Sequence, residues 1–195
     1  MRPIDELHAR ACVAFTEKVT GVPAERWHDP TPCGEWDVHD LVDHLVAEDR
    51  WTPHLLRGET LDQVGDRYDH GVLGDDPVTS AEQAGVHARA AVAEPGAIGG
   101  SVHSSMGRLP AEEYVGQLFA DHVIHGWDLA RATGQDDAID PELLDALVTW
   151  FADREDGYRE AGVIGPPVEV GADADEQTRL LAAFGRDASW TPDTR

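Results

Sequence analysis

Asp121 and His125 stand one helical turn apart in the run Asp121-His122-Val123-Ile124-His125-Gly126-Trp127-Asp128-Leu129-Ala130, the stretch of this chain best equipped for chemistry. Tyr114, Leu118, Asp121, His125 and Leu129 recur at spacings of four, three, four and four, so they share one stripe of a helix. The rest of that stripe is apolar, and a carboxylate buried there without a partner is costly. Two arrangements compensate it: a plain ion pair between Asp121 and His125, or a metal ion held by both. Asp128, one turn beyond His125, suits either the orientation of a ligand or, the reading preferred here, the anchoring of a loop backbone.

The element that carries these residues is bounded by its own chemistry. Pro110 suits a first helical turn, Glu112 and Glu113 suit the positive end of the dipole, and Gly134 closes the helix with Arg131 in its last turn. Upstream, Ile4, Leu7, Ala11, Phe15 and Val19 form a helical stripe flanked by His8 and Cys12, which read as packing residues. A loop follows, with turn chemistry from Asp29 to Gly34 and with Trp27 and Trp36 pinning it to the body. Asp37 is an N-cap for a helix reaching about Arg57, stopped by Gly58. His44 and Glu48 lie one turn apart at the margin of its apolar face. Taken alone, His44 reads as a hydrogen-bonded core histidine and Glu48 as a solvated acid, while His39 and His54 face solvent.

Residues 61–76 are polar and aperiodic, a long loop of the kind that forms lids or site walls. Thr79 or Ser80 is expected to cap a third helix through Ala93, and residues 98–109 to form another loop. Asp140-Pro141 opens an amphipathic helix to roughly Tyr158. Gly165-Pro166-Pro167 breaks the chain, Val168-Glu169-Val170 alternates like a short strand, and a last helix is expected over residues 173–184 before Gly185. Trp190 is expected to dock on the body.

Composition narrows the function classes. The formal charge is −23, from 38 acids against 15 lysines and arginines, and Lys18 is the sole lysine. Phosphate binding needs a basic face, so nucleic acid and anionic membranes are poor partners. The apolar runs are too short for a membrane span, and the first residues hold no apolar leader core, so a cytoplasmic protein is expected. Cys12 and Cys33 are the only cysteines and read as free thiols; Cys33 has no nearby cation in sequence to activate it.

Four amphipathic helices with long loops suggest a bundle with ligands on facing helices. Pro30-Thr31-Pro32-Cys33-Gly34-Glu35-Trp36-Asp37, running into Leu41-Val42-Asp43-His44-Leu45, resembles the opening signature of mycothiol-dependent maleylpyruvate isomerase amino-terminal domains, within the DinB-like metal-binding superfamily. The run from His125 to Gln135 resembles their second signature. Gly185-Arg186-Asp187 with Trp190 resembles the closing motif of an actinobacterial subgroup known as metal-binding. The resemblance implies an all-α, DinB-like four-helix bundle over residues 1–163 with a small extension, a short strand plus a helix, over 164–195. It implies His44, Asp121 and His125 as metal ligands. Asp121 stands where the isomerases carry glutamate, so the metal must lie nearer that helix or use a bridging water, with His122 as the substitute ligand. Fewer than 60 residues follow the central helix and its loop, which implies a reduced carboxy-terminal part.

Two histidines and a carboxylate suit Zn²⁺ foremost, with Ni²⁺, Mn²⁺ or Fe²⁺ as alternatives, and three protein ligands leave positions open for catalysis. The implied function is a metal-dependent thiol transferase or isomerase, with mycothiol as cosubstrate and a small electrophile as partner, in a monomer or homodimer. Glu48, His122 and Asp128 are candidates for groups supporting the ligands. A non-catalytic metal-binding stress bundle and a metallohydrolase using metal-bound hydroxide are the alternatives.

Overall fold

The computed structural model describes residues 2–34, 36–105 and 107–192. Its frame is four helices: α1 (Ile4–Thr20), α2 (Val38–Leu56), α4 (Pro77–Val92) and α5 (Ala111–Thr133), with a single-turn α3 (Leu61–Val64) between α2 and α4. α1 packs along α5 and beside α4, and α2 packs along α4 and beside α5, so the four close into a ring. The expected all-α bundle is therefore what the chain forms. α5 is its axis: apart from Glu112, Glu113, Gln117, Asp121 and Arg131, every residue from Ala111 to Thr133 is buried.

The helix ends follow local chemistry. Asp37 accepts the Asp40 amide at 2.9 Å, and Asp40 reaches back to the Asp37 amide, a reciprocal cap that fixes where α2 begins. Pro110 is the last residue before α5, and Gly134 ends it at φ 72°, a left-handed conformation open to glycine. α4 starts earlier than expected. Asp76, followed by Pro77 in the first turn, accepts the Thr79 amide at 3.1 Å, so Thr79 lies inside the first turn and Ser80 beyond it.

After α5 come α6 (Pro141–Phe151), α7 (Glu155–Glu160) and α8 (Glu176–Ala183). The helix expected to reach Tyr158 breaks at Ala152, and α7 resumes separately. Leu143 and Leu147 of α6, Leu180 and Leu181 of α8, and Phe184 join Leu7, Phe119 and Trp127 in one apolar cluster, with Phe151 and Phe184 stacked at 4.0 Å. A second cluster binds α1, α2, α4 and α5 around Phe15, Leu41 and Leu129.

Two expectations fail here. The strand foreseen at Val168-Glu169-Val170 does not form: its one backbone tie is Val168 N–H to the Ala182 carbonyl at 3.0 Å, and Val170 is exposed. The chain's strands lie instead in the supposed loop before α5, where β1 (Ser101–Ser104) and β2 (Gly107–Pro110) pair antiparallel, Val102 opposite Leu109. Val102 and Leu109 pack the hairpin on α5 and α2. No helix among the described residues is long and apolar enough to cross a membrane.

Candidate metal centre

α2 and α5 face each other across a cavity of about 950 Å³, and each contributes two groups spaced one turn apart. His44 and Glu48 come from α2, Asp121 and His125 from α5. The two imidazoles meet edge to face with ring centroids 5.5 Å apart. Trp36, from the loop before α2, lies against both, 4.8 Å from His44 and 5.8 Å from His125. That loop is held by the Thr31 hydroxyl donating to the Trp36 carbonyl at 2.8 Å, so the tryptophan is part of the site wall as well as a pin. Trp51, Trp150, Tyr158 and Phe184 complete apolar stretches of the lining.

The ion pair that would neutralise Asp121 does not form. His125 Nδ1 lies 3.0 Å from Asp128 Oδ2 instead, and Asp121 makes no hydrogen bond or ion pair among the described residues. Asp128 is fully buried and is gripped by Arg186, with Nε 3.0 Å from Oδ1 and Nη2 2.9 Å from Oδ2. The preferred reading of Asp128 as a backbone anchor is thus corrected: its carboxylate orients His125. Donation of the Nδ1–H to a carboxylate leaves Nε2 as the lone-pair nitrogen of the neutral ring.

Electrostatics set His44, His125 and Glu48 apart. Burial pushes His44 down to about 4, against the pull of Asp121, so its imidazole is neutral near pH 7. Burial opposes a charge on His125 too, but the hydrogen bonds to Asp128 and Cys33 raise it to about 9. Glu48 rises to about 7, chiefly through burial and then through the charge of Asp121. It lines the cavity, so it is not the solvated acid its sequence position suggested.

Several expected roles move. His122 lies outside this cavity, on another face of α5, with Nδ1 2.7 Å from the Leu118 carbonyl and Nε2 3.4 Å from Asp49. His54 is half-buried between Glu59 and Tyr68 rather than facing solvent. Cys33 does have a cation beside it: Arg186 Nη2 is 3.2 Å from Sγ. Sequence reasoning gave Arg186 no role, although it follows Gly185, whose φ of 79° turns the chain after α8 and sends the guanidinium into the cavity. Its motif was visible; its target, 58 positions upstream, was not.

Among the described residues, three groups have potential ligand atoms within 4.8 Å of one another: His8, Asp49 and His122; Cys33, His125 and Asp128; and Asp37, His39 and Asp40. The donor atoms of His44, Asp121 and His125 are not gathered within that distance. The Cys33 group is a poor cation site, because Arg186 touches both its thiol and its carboxylate. The Asp37 group is spent on capping α2 and on His28.

The fold is thus a four-helix bundle with imidazole and carboxylate groups aimed into one cavity, and comparison with known proteins gives its family. Residues 8–130 match the family profile of the mycothiol maleylpyruvate isomerase N-terminal domain, and the chain belongs to that family. Two uncharacterised Mycobacterium tuberculosis proteins, MT0763 of strain CDC 1551 and Rv0738 of strain H37Rv, are each 31 % identical over 140 residues, 70 % of this chain and 70 % of theirs. The crystal structure of a histidine-to-alanine mutant of mycothiol-dependent maleylpyruvate isomerase superposes with a TM-score of 0.59 at 15 % identity, over 75 % of this chain and 68 % of the other, which shows a shared fold.

Proposed function

We propose that His44, Asp121 and His125 hold a divalent metal ion, zinc foremost, and that the cavity takes a small thiol of the mycothiol type together with an electrophilic substrate. The observation that carries this reading is that two imidazoles from facing helices meet at 5.5 Å beside a carboxylate with no hydrogen-bond or ion-pair partner among the described residues. The donors fit the ion: His44 is neutral, His125 has its Nδ1 tied to a carboxylate and gives up its Nε2 proton as the ion binds, and Asp121 is not engaged elsewhere among the described residues. Membership of a family named for a mycothiol-dependent isomerase supports the thiol.

When bound, the ion would supply Lewis acidity that favours the thiolate form of an incoming thiol. The chain's own groups do the rest. Glu48, poised near pH 7, accepts the thiol proton on its carboxylate and can return it to the product. Asp128 and Arg186 hold the His125 ring in place. Trp36, Trp51 and Trp150 exclude water and offer flat apolar faces to the substrate. Residues 1–163 act in this reading as the metal-binding bundle, and residues 164–195 deliver Arg186.

The test is an assay of zinc-loaded protein with mycothiol and a model electrophile, and separately with ester and amide substrates. Thiol adduct or isomerised product that disappears in Glu48→Gln and His125→Ala supports the reading. Ester or amide hydrolysis without thiol turnover would replace it with a hydrolase, and silence in every arm with a non-catalytic bundle.

A further inference from the structure

Behind the cavity wall lies a second cluster that the proposed chemistry does not use. The residues next in sequence to Glu48 and Asp121 turn the other way: Asp49 of α2 and His122 of α5 meet His8 of α1 inside the bundle. His8, Asp49 and His122 are 0 %, 3 % and 1 % exposed. Burying two imidazoles and a carboxylate together is costly unless each finds a partner. These do not. Among the described residues, both ring nitrogens of His8 and Oδ1 of Asp49 lack any hydrogen-bond partner, although Oδ1 lies 3.4 Å from His122 Nε2.

A proton shared between His122 and Asp49, whose Nε2 and carboxylate oxygens are 3.4 Å apart, would settle those two groups and leave His8 unsatisfied. A cation settles all three. The separation of 3.4 Å is also the ligand-to-ligand edge expected of a tetrahedral ion with bonds of about 2.1 Å. His122 is prepared as a ligand in the usual way: its Nδ1–H donates to the Leu118 carbonyl at 2.7 Å, which fixes the tautomer and presents Nε2 to the cluster. Cys12, fully buried one turn after His8, has its thiol 3.9 Å from Asp49 Oδ2, placed to close the coordination sphere. Room for that sulfur comes from Gly85 of α4, where a Cβ would sit 2.9 Å from Sγ.

We propose that His8, Asp49 and His122, with Cys12 beside them, form a second metal site: a closed, structural one that ties α1, α2 and α5 together. Imidazole, carboxylate and thiol donors with no solvent access suit Zn²⁺ over Mg²⁺ or Ca²⁺. Being closed, it fills as the bundle folds, so its ion adds to folding stability and resists chelators in the native state. The site is independent of the cavity reading, which uses none of these side chains.

The experiment uses the full chain, refolded with Zn²⁺ and then dialysed against a chelator, with zinc counted by elemental analysis and stability followed by thermal melting. The variant His44→Ala/His125→Ala isolates the buried cluster and is expected to retain one equivalent of zinc through dialysis. His8→Leu in the otherwise unchanged chain is expected to lose one equivalent and to melt lower than the zinc-loaded parent. Asp49→Asn, nearly the same shape, covers the case in which His8→Leu fails to fold, and is expected to lose the same equivalent. If the cluster holds only a proton, His8→Leu removes an unsatisfied buried polar group, so it melts at or above the parent with zinc content unchanged. That result, or a double variant without zinc, overturns the proposal. A single equivalent in the parent that His44→Ala/His125→Ala keeps and His8→Leu loses sinks the cavity site and upholds this one.

Discussion

Arg186 and Asp128 are joined by two near-parallel hydrogen bonds, Nε to Oδ1 at 3.0 Å and Nη2 to Oδ2 at 2.9 Å, across 58 positions of sequence. The pair links the chain after α8 to the middle of α5, and Asp128 passes the constraint on to the His125 ring. Asp128 is fully buried and the Arg186 side chain 15 % exposed, so each is costly to leave alone.

Arg186→Ala should therefore destabilise the protein by about 3–5 kcal/mol, because it leaves a buried carboxylate with the His125 ring as its one remaining side-chain partner among the described residues. Asp128→Asn keeps the shape and removes the charge. It should fold, yet weaken metal binding at His125 by about 10–100-fold, the usual scale for a group that orients a ligand. Urea unfolding and zinc competition titrations read the two effects separately.

Glu48 makes the metal-free protein pH-sensitive. Its carboxyl is raised from 4.5 to about 7 in the fold, so the folded state holds a proton that the unfolded chain has released between those values. The stability this group contributes is complete below pH 4.5 and is lost as the pH rises through about 7. Glu48→Gln should flatten that slope and stabilise the metal-free protein at pH 8 by at most about 3 kcal/mol. Denaturant midpoints across pH 4–8 measure it, and an unchanged slope in the variant would contradict the assignment.

Gly116 lets Trp150 form part of the cavity wall. A Cβ at 116 would lie 2.5 Å from Trp150 Nε1, against the indole of a large side chain. Gly116→Ala should cost about 1–3 kcal/mol through overpacking and shift the Trp150 ring. A lower melting temperature with an altered tryptophan fluorescence spectrum is the expected outcome.

How legible this molecule was in its sequence depends on distance along the chain. α1, α2 and α5 announce themselves through the 3.6-residue spacing of Leu7, Phe15, Leu41, Leu45, Leu118 and Leu129 and through the Asp37 and Gly134 boundaries. The start of α4 was misplaced because Thr79 and Ser80 are good caps in isolation, whereas Asp76 with Pro77 is the pair that acts. The hairpin was hidden because Ser101–Ser104 and Gly107–Pro110 carry few apolar residues, and Val102 opposite Leu109 suffices to seat it. Val168-Glu169-Val170 alternates well, yet forms no paired strand.

At the site, the family resemblance singled out His44, Asp121 and His125, and all three line the same cavity. It could not bring Arg186 to Cys33, which lie 153 positions apart, nor reveal that His125 would choose Asp128 over Asp121. The helical stripe places His8 inside, but a stripe says which residues are buried, not whether their polar atoms find partners.

The metal content of His44→Ala tests the central claim most directly. Zinc counted per chain by elemental analysis, after loading and gel filtration, should fall by one equivalent relative to the parent, with the helical circular dichroism unchanged. An undiminished zinc content in that variant would show that α2 supplies no ligand to the cavity and would contradict the account.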